Sequence, residues 1–273
     1  MGAHYLSTGI SLLALPVAAL LHASLTPVMQ SRGLTRINYR GRPVPYPSGV
    51  VIILSSAFSA SLAVALAGRL HTAASASILA PILVGLAGLV DDLFGSGDKG
   101  FRGHIRALLR GTVTTGVLKM AAGFIAGVFA SSVITGRSAL FWLPDAVLFA
   151  LAVNLVNLLD LRPGRGMKAF LLVAAPAWLF VCAFYPIVSA SLFGVAGVIR
   201  HDLSERSMMG DTGANFLGGV VGLLVLSIGQ NWVRMAIFLL LLFLNALSEM
   251  VSFSAIIQRN AVLRWLDELG RHK

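Results

Sequence analysis

Residues 73–92, AASASILAPILVGLAGLVDD, run 18 positions without a charge, from Ala73 to Val90, and then set two carboxylates side by side. At 1.5 Å of rise per residue such a run makes a helix of about 27 Å, close to the roughly 30 Å of hydrocarbon in a bilayer. Asp91 and Asp92 end the run at what reads as a membrane edge. The same pattern recurs along the chain. Apolar runs predict helices at 6–28, 48–68, 73–90, 112–134, 141–160, 167–183, 185–199, 213–229 and 233–257, about nine spans. The fold class that follows is all-α, a polytopic integral membrane helical bundle, with residues 1–273 as a single transmembrane domain. Composition excludes a separate soluble domain: 57% of the side chains are hydrophobic and 12% charged, against about a quarter charged in ordinary globular proteins.

A net charge of +10 would suggest a nucleic-acid partner for a soluble protein, but here the basic residues lie between apolar runs and read as topology signals. Of the 21 lysines and arginines, 17 fall in connections that follow odd-numbered spans, and only Arg69, Arg137 and Arg234 in the others. The positive-inside rule then puts the odd connections in the cytoplasm and the N-terminus outside. The first span lacks a basic leading segment and is too long for a signal-peptide core, so it is expected to be retained. One cysteine, Cys182, within an apolar run excludes a disulfide framework and a cysteine-built metal site. Residues 258–273 carry Val262, Trp265, Leu266 and Leu269 at helical spacing among charges, the pattern of an interfacial amphipathic segment.

Nine of the 11 acidic residues also fall on the cytoplasmic side, and four stand at the membrane edge. Asp91 and Asp92 end the third span, Asp160 ends the fifth, and Asp211 precedes the eighth. Carboxylates there need a partner, water or a metal, unless they serve as helix caps. In GLVDDLFG (88–95) the adjacent acids repel, and a divalent cation or a basic group would offset them; oxygen-only ligands favour Mg²⁺. In NLVNLLDL (154–161), Asn154, Asn157 and Asp160 recur every three residues within an arc of about 120°, a polar stripe on one helix face. GDTGANFLGG (210–219) puts Asp211 and Thr212 at the start of a helix, which suits either an anion with its metal or an N-cap. Lys119, deep in the fourth span by sequence count, needs a carboxylate or a path to water, or else snorkels to the interface. Asn245 and Glu249 share a face of the ninth span, as a buried hydrogen-bonding network or a contact to a lipid headgroup.

These elements, in this order, resemble the membrane family of polyprenyl-phosphate sugar-1-phosphate transferases, which includes phospho-N-acetylmuramoyl-pentapeptide transferase and the N-acetylglucosamine-1-phosphate transferases. The resemblance runs from about Asn38 to Gly219. It covers a basic first cytoplasmic loop with a Pro/Gly motif (NYRGRPVPYPSG, 38–49), the Asp-Asp pair, a lysine in the next span, Asn-x-x-Asn-x-x-Asp and Gly-Asp-x-Gly. It implies a multi-pass enzyme of the inner (cytoplasmic) membrane, active in envelope biogenesis such as peptidoglycan synthesis. The implied reaction moves a sugar-1-phosphate from a UDP-sugar to a polyprenyl phosphate such as undecaprenyl phosphate, with Mg²⁺ and release of UMP. Carried over by motif, Asp91, Asp92, Lys119 and Asp211 are the implied catalytic residues, with Asp211 and Asp92 on the metal. Asn154, Asn157, Asp160 and Thr212 are the implied substrate-binding residues, joined by Arg162 and Arg165 as candidates for the donor phosphates. A homodimer is left open.

Two departures stand out. Where the family continues its Asn-x-x-Asn-x-x-Asp motif with a second acid, this chain has Leu161, Arg162, Pro163 and Gly164, so Pro163 replaces that acid; and no histidine-rich loop follows Asp211. His104 and His201 are isolated in basic loops and read as interfacial residues, with phosphate contact the alternative. The competing reading is an inactive relative that binds polyprenyl phosphate or an envelope-assembly partner. A secondary transporter would be expected to carry internal repeats and charged sites near the midplane, whereas no repeat is evident here and most of the acids sit at one edge. The topology is tested by impermeant thiol labelling in intact cells in a Cys182→Ser background. Cysteines placed at Gly97 and Ser204 are expected to stay unlabelled, and labelling of both would invert the chain.

Overall fold

The computed structural model describes residues 2–67, 72–95, 101–181 and 186–271. Arg69, Gly97, Asp98, Lys99, Cys182, Tyr185 and Lys273, and with them the ends of the predicted 48–68, 167–183 and 185–199 spans, lie outside the described residues. The chain folds as α1 (Gly2–Ser11), α2 (Ala14–Ser31), a hairpin of β1 (Thr35–Ile37) and β2 (Pro43–Pro45), α3 (Gly49–Leu66), α4 (Thr72–Phe94), α5 (Phe101–Leu109) and α6 (Thr115–Ile134). It continues through α7 (Trp142–Leu159), α8 (Arg165–Val181), α9 (Pro186–Leu203), α10 (Gly210–Leu226), α11 (Asn231–Ser248), α12 (Phe253–Arg259) and α13 (Ala261–Glu268).

Among the described residues, six helical stretches are long and apolar enough to cross a membrane: Leu6–Ser31, Gly49–Leu66, Thr72–Phe94, Thr115–Ile134, Ala139–Leu159 and Asn231–Ser248. The sequence reading expects about nine. The difference lies in α8 and α10, with 17 residues each, and in α9, whose last turn carries Arg200 and His201. Further boundaries move for local reasons. Pro16 has no amide to donate to Leu12, and the first span, Leu6–Ser31, carries a turn at Leu12 and Leu13 between α1 and α2. Thr114 caps α6 through its hydroxyl, accepting from the Val117 amide at 3.3 Å, so Lys119 lies in the second turn of that helix rather than deep within it. The predicted 233–257 span ends at Ser248, and Ser252 caps the separate α12 through the Ala255 amide at 3.4 Å. The predicted 258–273 segment spans the end of α12 and all of α13.

At the centre stands α10, in which every residue from Thr212 to Leu226 is buried. Lipid tails are as apolar as leucine, so such a helix is held by close packing more than by escape from water. Small residues permit that packing. A Cβ on Gly218 would lie 2.6 Å from the Val153 Cα of α7, and one on Gly88 would lie 2.4 Å from the Asp211 carbonyl oxygen. The second contact draws the acidic end of α4 onto the first turn of α10.

Away from that end, Asp145 in the first turn of α7 is buried among Ser131 (2.8 Å), Arg137 (3.0 Å) and Arg234 (3.4 Å). Arg234 also donates to the Leu226 and Ile228 carbonyls at the close of α10. Two of the three basic residues that fall in even-numbered connections are thus held by one carboxylate, which sharpens the charge asymmetry behind the topology. Because both Asp145 and Arg234 are buried, Asp145→Asn is expected to cost about 3 kcal/mol of stability, as removal of one partner of a buried pair does. Arg137→Gln, at a more exposed partner, should cost about 1 kcal/mol. Thermal unfolding in detergent measures both, and equal losses would contradict this ranking.

Candidate active site

Four helices meet at one end of the bundle, through the last turns of α4 and α7, the second turn of α6 and the first turn of α10. The Lys119 ammonium of α6 donates to Asp91 Oδ2 of α4 at 2.6 Å and to Asp211 Oδ2 of α10. Asn157 Nδ2, from α7, reaches the same Asp211 oxygen at 3.4 Å. All three charged side chains keep between a fifth and a third of their surface exposed, so the cluster stands at the mouth of the bundle, open to an incoming ligand.

Asp92 has a different task. Its Oδ1 accepts the Asp211 amide at 3.0 Å and the Tyr46 hydroxyl, and its Oδ2 accepts the Thr212 amide at 2.8 Å and the Thr212 hydroxyl at 2.6 Å. It satisfies the free amides at the start of α10 and complements the dipole there. Thr212, fully buried, is spent on that contact. Arg36 of β1 donates to the Tyr46 hydroxyl and lies 4.8 Å from the centre of its ring. Burial, with the Asp92 carboxylate beside it, raises the Tyr46 phenol above its usual value, so it remains a proton donor in this chain of contacts.

A cavity of about 230 Å³ opens beside the cluster, between the hairpin, the α7–α8 connection and the α9–α10 connection. Arg36, Tyr46, Asp160, Arg162, Pro163 and Asp211 are among its walls. The two connections and the hairpin are tied by backbone: the Met208 amide donates to Pro45 O at 3.0 Å and the Ser48 amide to Met208 O at 2.8 Å. Glu205, held at φ 58°, accepts from the Tyr39 hydroxyl at 2.8 Å and from Arg40 Nε at 3.0 Å, which pins the hairpin turn. Arg162 lies over the other partner of that contact, 5.2 Å from the Tyr39 ring centre.

The remaining residues of the sequence reading divide. Asp160 borders the cavity; Asn154 and Arg165 are elsewhere. Asn154 donates to Asn245 of α11 at 2.6 Å, and Asn245 in turn bonds the Leu151 carbonyl, so the expected polar stripe splits between two neighbouring helices. Glu249 directly follows α11. Arg165 grips Asp267 of α13 through two bonds, at 2.7 and 3.0 Å, and is fastened to the C-terminal segment. His104 bonds the Thr114 hydroxyl at 2.9 Å, and His201 stacks on His22 with ring centres 4.0 Å apart. Residues not singled out by the sequence reading include Tyr46, although it lies in the quoted 38–49 loop, and Asp202, whose oxygens take the Gly164 amide at 2.6 Å and the Met209 amide at 3.0 Å.

The donor set suits a hard cation. Asp91 and Asp211 offer carboxylate oxygens around a common point, with the Asn157 amide beside them, whereas the Asp92 oxygens are already committed to α10 and Tyr46. In the structure Asp211 shares Lys119 with Asp91, the neighbour of the Asp92 that the motif paired it with. Among the described residues no three acidic, histidine or cysteine side chains form a complete metal cage.

Asp160 carries a testable electrostatic cost. Burial, with the Asp202 and Asp211 carboxylates nearby, pushes its carboxyl well above the ordinary value of 3.8. The folded chain then holds the Asp160 proton more tightly than the unfolded chain, and stability falls as pH rises from 3.8 through the raised value. Asp160→Asn is expected to melt higher than wild type at neutral pH, with the advantage shrinking as the pH is lowered toward the ordinary carboxylate range. A constant advantage at every pH would show that charge is not its cause. Comparison with protein-family models and with curated proteins finds no match to this chain.

Proposed function

We propose that the protein transfers a sugar-1-phosphate from a UDP-sugar to a polyprenyl phosphate, such as undecaprenyl phosphate, at the cytoplasmic face of the inner membrane. The observation that carries this reading is the Lys119 ammonium shared by Asp91 and Asp211 at a junction of helix ends, beside a cavity walled by Arg36 and Arg162. The motif order along the chain, from the 38–49 loop to Gly-Asp-x-Gly, supports it independently.

In the reaction an oxygen of the lipid phosphate forms a bond to the sugar-bearing phosphorus of the donor. The bond from that phosphorus to the bridging oxygen breaks, and UMP leaves with the electron pair. Several negative charges must come together, so cations are what the step needs most. Lys119 meets one of the phosphates, released from its carboxylates as the ligand enters. Arg36 and Arg162 face the donor from the cavity wall, and Asn157 orients Asp211. Asp211 and Asp91 would hold Mg²⁺, which when bound neutralises phosphate charge and polarises the P–O bonds. Asp92 keeps the first turn of α10 in place. A phosphate monoester, with a second pKa of about 6, is already largely ionised at neutral pH, so the acceptor needs no dedicated base.

A second reading is an inactive relative that binds polyprenyl phosphate or an envelope-assembly partner. Pro163 in place of the family acid favours it, as does the absence of a histidine-rich loop after Asp211. The deciding assay uses purified protein in detergent with undecaprenyl phosphate, Mg²⁺ and a panel of UDP-sugars. Wild type is expected to release UMP, and Asp211→Asn to lower that release at least about a hundredfold, through weaker Mg²⁺ and transition-state binding. Pro163→Asp should change donor affinity more than turnover. No UMP from wild type, with lipid phosphate still bound, would overturn the enzyme reading and leave the second one.

A further inference from the structure

Leu161, Arg162 and Pro163 form one rim of the cavity beside the cluster. This rim is restrained from two directions. On the inner side the Gly164 amide donates to Asp202 Oδ2 at 2.6 Å. On the outer side Arg271, beyond the end of α13, donates through Nε to the Pro163 carbonyl at 3.0 Å.

The outer restraint is built with care for its charges. Asp267, 5% exposed, takes two bonds from Arg165 and two from Arg271, the latter at 2.8 and 3.2 Å. It thereby joins the first residue of α8 to the residue that holds Pro163. Lys168, one turn further along α8, donates to the Leu266 and Leu269 carbonyls at 2.9 and 3.2 Å and closes the end of α13. A merely adherent tail would not bury an arginine and an aspartate against each other, because a buried charge is tolerated only when fully paired. Removing the Asp267 charge would leave Arg165 buried without a counter-charge, held only by the Ser254 hydroxyl at 2.8 Å, and free Arg271 from the geometry that aims it at Pro163.

We propose that Asp267 and Arg271 are positioning residues for the site: α13 acts as a clasp that holds the Arg162–Pro163 rim in the shape that receives the nucleotide. The nucleotide as ligand rests on the function proposed above, whereas the clasp itself does not.

The test uses full-length protein in detergent, with Asp267→Asn, Asp267→Glu and Arg271→Gln variants and two readouts. Amide hydrogen exchange over residues 160–166 reports the rim. Asp267→Asn and Arg271→Gln are each expected to speed it about tenfold, the size expected for loss of one or two charge-assisted bonds. Asp267→Glu should restore it. The dissociation constant for UMP, measured by calorimetry, should rise about tenfold in the same two variants and recover in Asp267→Glu. Arg271→Gln leaves the Arg165–Asp267 pair intact and so separates the clasp from a general loss of folding. Unchanged exchange at 160–166 in both variants overturns the clasp, whatever happens to UMP. Faster exchange in both variants, together with a wild type that binds no UMP, supports the clasp and counts against the nucleotide.

Discussion

Two carboxylates from different helices share one ammonium at the end of this bundle, and the arrangement of α4, α6, α7 and α10 turns on that contact. Without Lys119, Asp91 and Asp211 would repel each other by about 4 kcal/mol at 4 Å in a partly screened protein environment. With it, one of the two negative charges is offset and the groups remain exchangeable, because each is open to water over part of its surface. A phosphate entering such a site can take the ammonium, and a cation can take the carboxylates. The interaction that closes the bundle end is also the one that a charged ligand would compete for.

The close approach that makes this contact is bought by small residues. Gly88 lets α4 lie against the Asp211 carbonyl, and Gly218 lets α10 lie against α7. Asp92 then caps α10, and its bond from Tyr46 connects the hairpin to the same helix start. The opposite end follows the same rule of paired polar groups, with Asp145 between Arg137 and Arg234. Charges that a simple count would assign to topology turn out to be structural pairs as well.

Where sequence and structure diverge, the cause is a cap, a proline or a neighbour. The 6–28 run carries a turn at Leu12 and Leu13, near Pro16, the 112–134 run begins late because Thr114 caps at the entry to α6, and the 233–257 run stops before Ser252, which starts a new helix. Asn154 and Asp92 were legible as polar residues at helix ends, but their partners were not. A spacing of three residues says that Asn154 and Asn157 share a face. It does not say that the face is divided between α11 and α10.

Sequence by itself determined that the chain is a bundle of apolar helices and that Asp91, Asp160 and Asp211 stand at helix ends. These are properties of hydrophobic runs and their borders, which depend on short stretches of chain. Only the tertiary structure decided that Lys119 bridges Asp91 and Asp211, that Asp92 caps α10, and that Arg165 belongs to Asp267. Each of those pairings joins residues 28 to 120 positions apart. Their choice of partner is set by which helices can approach closely, a matter of packing that no local pattern encodes.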